Sequence, residues 1–114
     1  MTPDPSWKAF ERRIAASLGV NRTPLSGGAS RLTRSDTLHP TLYVECKQRA
    51  RIATYWWWVN ARHKARDEHK VPVLVLHQKK QPHTLAVISW DYFVGLYLAS
   101  QSLAEIRRTG KYPP

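Results

Sequence analysis

The chain has 114 residues and a mass of 13.2 kDa, the size of one domain. Hydrophobic residues make up 42%, with five Trp, five Tyr and two Phe, which is enough apolar material for a core and excludes a disordered chain. Eighteen Lys and Arg against eight Asp and Glu leave a net charge of +10 and a pI near 10.3, favouring a polyanionic partner, either nucleic acid or an acidic membrane surface.

Asp4-Pro5 opens the first element as an Asp N-cap with Pro at N1. Trp7, Phe10, Ile14 and Leu18 then recur at helical spacing up to Gly19, which predicts an amphipathic helix over 5–18. Residues 19–33 read as a loop rich in Pro, Ser and Gly. Residues 34–38 and 42–47 predict a hairpin through His39-Pro40-Thr41. In its second strand Tyr43, Glu45 and Lys47 share one face, and Leu42, Val44 and Cys46 the other. A long helix is expected over 52–69, ending before Val71-Pro72. Val73-Leu74-Val75-Leu76 and Leu85-Ala86-Val87-Ile88 read as short apolar strands of the buried kind, separated by a basic turn at Lys79-Lys80-Gln81-Pro82. A helix over 90–99 follows. Ser102-Leu103-Ala104-Glu105 has capping-box form and opens a last short helix that Gly110 ends. The order predicts a small single-domain α/β sandwich.

Cys46 is the sole cysteine, so an intrachain disulfide or a thiolate zinc site is excluded. Lys8, Glu11, Arg12 and Arg13 interrupt any signal-peptide apolar region, and no apolar run approaches the ~20 residues of a membrane span. The expectation is a soluble, cytoplasmic protein without a membrane partner.

Only eight acidic residues exist, so their positions are informative. In a hairpin centred on Pro40-Thr41, Asp36 lies directly across from Glu45. Like charges so placed are destabilising unless a hard cation such as Mg²⁺ or Mn²⁺ joins them. Lys47 lies about 7 Å further along the same face, where its ammonium can hold a metal-bound hydroxide or neutralise charge at phosphorus. Glu11 sits beside the apolar stripe of the first helix, out of place unless something charged meets it.

These residues make the chain resemble the PD-(D/E)XK nuclease superfamily, here as Ser35-Asp36 … Glu45-Cys46-Lys47 with Glu11 on the preceding helix. Within it, Trp7-Lys8-Ala9-Phe10-Glu11, the loop Arg22-Thr23-Pro24-Leu25-Ser26-Gly27-Gly28 and the apolar strands are similar to archaeal-type Holliday junction resolvases, including phage-encoded relatives. The likeness covers roughly residues 5–98 of one domain spanning 1–114, leaving 99–114 as a short helix and tail. It implies a restriction-endonuclease-like central mixed β-sheet flanked by helices. It further implies a homodimer that cuts four-way DNA junctions by paired symmetric nicks, in the host cytoplasm if phage-encoded. The implied metal ligands are Asp36, Glu45 and the Cys46 carbonyl, with Glu11 nearby or acting through water, Lys47 as catalytic base, and Mg²⁺ (or Mn²⁺) as cofactor. The sequence departs from the strict pattern at Ser35, where the motif has Pro. Another nuclease of the superfamily (nicking, flap or repair) or a non-catalytic basic DNA-binding module are the alternatives.

Basic residues surround the acidic ones in the sequence. Six lie within 8–34 against Glu11 alone, and nine within 47–80 against Asp67 and Glu68, as expected of a phosphate-binding track. The expected DNA contacts are Arg13, Arg22, Ser26, Gly27, Ser30, Arg31, Arg34, Arg49, Arg51 and Lys64. Trp56, Trp57 and Trp58 step by about 100° around a helix and cannot share one core. Trp57, Trp58, Ala61 and Ala65 are expected to face inward, leaving Trp56 outward as a dimer contact, with Phe93, Leu96 and Tyr97 as the other dimer candidates.

Overall fold

The computed structural model describes residues 5–24 and 33–111. It is α/β, with three helices and a two-stranded antiparallel sheet among the described residues. The chain divides into two compact units, Met1–Ala50 and Arg51–Pro114, each built on its own terms. No described helix is long and apolar enough to cross a membrane.

The first unit begins with helix α1, Ser6–Ser17. Pro5 occupies the N-cap rather than N1; Asp4 lies outside the described residues. Gly19 adopts φ +73°, and the Gly19 and Val20 N–H groups donate back to Ala16 and Ala15 O, both at 3.0 Å. That is the Schellman closure a left-handed glycine permits. The buried side is Glu11, Ile14, Ala15 and Leu18, so the stripe is rotated from the expected one and leaves Trp7 exposed.

Two chain segments then run antiparallel. Arg22 bridges Thr37, the Thr23 N–H donates to Asp36 O (3.1 Å), and the Leu38 N–H donates to Asn21 O (2.9 Å). Thr23, Ser35 and Thr37 are buried, yet no buried side-chain polar atom among the described residues lacks a partner. The Thr23 hydroxyl, for example, donates to Ser35 O at 2.8 Å.

The expected hairpin over 34–38 and 42–47 forms no strand ladder. Side chains take the backbone groups a ladder would use, the competition short polar residues offer. Ser35 Oγ donates to Val44 O (3.0 Å) and accepts from the Val44 N–H (2.8 Å). Asp36 Oδ2 accepts from the Cys46 N–H (2.6 Å). His39 Nδ1 accepts from the N–H groups of Thr41 and Leu42 at 3.1 and 3.0 Å, which fixes the anticipated turn. The alternation survives: Leu42, Val44 and Cys46 are half-buried, while Tyr43, Glu45 and Lys47 are exposed.

In the second unit helix α2, Tyr55–Asp67, closes with His69 at φ +56° and the Lys70 N–H on Ala65 O (2.8 Å). It is shorter than the expected 52–69 because Ile52 to Thr54 form a separate turn. Strands β1 (Leu74–His77) and β2 (Thr84–Val87) pair antiparallel with Leu74 opposite Val87 and Leu76 opposite Leu85. They are not the fully buried strands expected: Val75 and Leu85 are exposed, because a two-stranded ribbon leaves each strand an open face. Helix α3 runs unbroken from Trp90 to Thr109, correcting the expected division at Ser102. Ser89 is the true N-cap, accepting from the Tyr92 N–H (3.2 Å). Glu105, expected to close a capping box, instead reaches forward to Arg108 (2.6 Å), and Gly110 at φ +71° ends the helix.

Candidate functional site

The candidate site lies in the first unit, around the extended segment 44–47. Asp36 is delivered to it by the antiparallel run with 21–23, and its own N–H donates to Val44 O at 2.7 Å. Asp36 is therefore held against Val44 and Cys46, not across from Glu45. The register offset arises because Ser35 engages both backbone groups of Val44. The face-to-face carboxylate pair inferred from a symmetric hairpin is not formed.

Asp36 and Glu11 both flank Cys46: Asp36 Oδ2 accepts its N–H, and Glu11 lines the same cleft as Cys46. Burial first, and then the nearby Asp36 and Glu11 carboxylates, push the Cys46 thiol up from its ordinary 9.0 to about 11. Cys46 is half-buried, as a small apolar residue on the inner face should be. A cleft of about 600 Å³ opens here, lined by Trp7, Phe10 and Glu11 from α1 and by Cys46, Lys47 and Arg49 from the extended segment. Glu45 points to the outer face, and its Oε1 lies 3.6 Å from Lys47 Nζ, both side chains more than half exposed.

The charge that meets Glu11 is Arg22. Its Nε donates to Glu11 Oε2 at 2.7 Å, with side-chain exposures of only 13% and 10%, and its guanidinium stacks over the Trp7 ring at 5.4 Å. Arg22 was expected on phosphate; its half-buried ion pair gives it a different task. The signal was half visible, since Glu11 demanded a counter-charge, but a partner across an irregular loop leaves no periodic trace.

Of the other expected DNA contacts, Arg34, Arg49, Arg51 and Lys64 are exposed, and Arg13 lies over the Phe10 ring at 5.3 Å. Ser26, Gly27, Ser30 and Arg31 lie outside the described residues. Among the described residues no three His, Cys, Asp or Glu side chains come together as a group that could hold a metal. Glu11 is paired with Arg22, Asp36 Oδ2 accepts from the Cys46 N–H, and Glu45 lies beside Lys47 with both side chains more than half exposed.

No family model, curated protein or solved structure matches this chain.

Of the dimer candidates, Trp56 and Leu96 are exposed. Phe93 and Tyr97 are half-buried and stack on each other with ring centroids 6.2 Å apart. Trp57, expected inside, is exposed, leaving Trp58, Ala61 and Ala65 on the half-buried side of α2.

Proposed function

We propose that this protein is a metal-dependent endodeoxyribonuclease of restriction-endonuclease-like fold that resolves four-way DNA junctions as a homodimer in the cytoplasm. The observation that carries the reading is the grouping of Glu11, Cys46 and Lys47 in one cleft, with Asp36 Oδ2 held on the Cys46 N–H at 2.6 Å. Residues scattered over 11–47 thus collect around one extended segment, with Glu45 3.6 Å from Lys47. Phosphodiester hydrolysis needs an activated water and neutralised charge at phosphorus. Lys47 and Arg49 in the cleft supply positive charge for a phosphate, with Lys47 as the proposed base, and the net charge of +10 draws the DNA in. Mg²⁺, or Mn²⁺ in its place, belongs to this reading as a requirement for cutting.

The test is a gel assay on a synthetic four-way junction, a plain duplex and a flap, each with Mg²⁺, Mn²⁺ or EDTA, with Asp36→Asn alongside. Paired symmetric nicks in the junction alone, lost with EDTA and in Asp36→Asn, are the expected result. Equal cutting of all three substrates would keep a nuclease and remove the junction preference. Binding without cutting under either metal would leave a basic DNA-binding module and overturn the enzyme.

A further inference from the structure

We propose that the exposed side of α2 is a stacking platform for unpaired nucleic-acid bases, formed by Trp56 and Trp57 and the cations beside them. It rests on the nucleic-acid part of the proposed function and names the feature of the substrate that the second unit reads. Three consecutive tryptophans sweep about 200° of a helix, so one buried face cannot take them all. Trp58 takes the inner position, lining a groove with Tyr55, Arg62, Leu76 and Trp90. Trp56 and Trp57 lie outside that groove and are left 68% and 58% exposed.

Each exposed ring has a nitrogen base or cation seven residues on, which is two helical turns along nearly the same direction. The pairs are Trp56 with His63 and Trp57 with Lys64. Asp67 is the lone acid of the helix. Aromatic faces beside cations are what unpaired bases and their phosphates require: rings stack on any base, and the cations take the backbone. A second copy of the chain fits this face worse. A two-fold contact would set Lys64 against its own copy, and like charges across an interface oppose association.

The test uses the full chain in EDTA, where no cutting intervenes. Fluorescence anisotropy compares a paired duplex with the same duplex carrying a central unpaired stretch, and 2-aminopurine in that stretch reports stacking. The wild type is expected to prefer the unpaired DNA and to quench 2-aminopurine. Trp56→Ala or Trp57→Ala should weaken that binding about tenfold and relieve the quenching while leaving duplex affinity unchanged, and Trp57→Phe should retain most of it. Equal losses on both DNAs, or none, would overturn the platform. So would a fall from dimer to monomer mass in Trp57→Ala, which would give the face to a second copy. Because the readout needs no cutting, stacking by an inactive protein would sink the nuclease alone, and active but Trp-indifferent protein would sink the platform alone.

Discussion

Arg22 and Glu11 form a 2.7 Å ion pair that is nearly shut off from solvent, and the same guanidinium lies over Trp7. A buried carboxylate is tolerated only when paired, and Arg supplies both the charge and a flat face for the indole. Because Arg22 also sits in the bridge to Thr37, this pair ties α1 to the strand-like run that delivers Asp36.

Removing one partner of such a pair strands the other. Arg22→Ala is expected to destabilise the protein by about 3–5 kcal/mol, read as a lower urea midpoint. Arg22→Lys should recover part of it, keeping the charge but losing the stacking. A loss under ~1 kcal/mol for Arg22→Ala would show the pair to be incidental.

Ser35 explains its own departure from the nuclease motif. Its hydroxyl serves both backbone groups of Val44, and its N–H donates to Thr33 Oγ1 at 3.1 Å; a proline offers neither. Ser35→Ala leaves the half-buried Val44 N–H without its acceptor and should cost about 1 kcal/mol by denaturant unfolding. Ser35→Pro should cost more, and a neutral result would place these bonds outside the folded state's needs.

Under the proposed function, Glu45 and Lys47 are where activity and stability should part. Exposed pairs contribute about 0–1 kcal/mol, so Glu45→Gln and Lys47→Ala should melt within a few degrees of wild type. Both should abolish cutting, and Lys47→Ala should keep junction binding. Unchanged cleavage by either variant would remove that residue from the site.

Cys46 gives a pH-dependent readout of the two acids beside it. With its thiol raised to about 11, alkylation by iodoacetamide should be slow at pH 8–9, because the thiolate is the nucleophile. Asp36→Asn, which keeps an oxygen for the Cys46 N–H, should speed it. The folded thiol holds its proton more tightly than the unfolded one. Its contribution to stability is therefore full below pH 9.0 and is lost as pH rises through about 11. A thiol that reacts as fast as free cysteine in the folded protein would contradict its burial, and a rate unchanged in Asp36→Asn would contradict the influence of that carboxylate on it.

Much of the local structure was legible in the residues. Helix α1 and its glycine stop, the His39 turn, the alternation along 42–47, the two apolar strands and the end of α3 at Gly110 all follow from short-range rules. The break expected at Ser102 did not occur, because nothing in Ala99-Ser100-Gln101 interrupts a helix and Glu105 had Arg108 to bond. Trp57 is exposed because the half-buried stripe of α2 runs through Trp58, Ala61 and Ala65 and is narrower than the expected one.

What the sequence determined by itself was which residues have chemical character and which side of each local element they occupy, since both depend on composition and on periods of two and 3.6 residues. That Glu11 needed a counter-charge was already evident there. Tertiary structure decided that Arg22 provides it, that Asp36 bonds Cys46 rather than opposing Glu45, and that Ser35 sets this offset. Those outcomes turn on the path of irregular loops and on side chains competing for backbone hydrogen bonds, and neither leaves a period in the sequence.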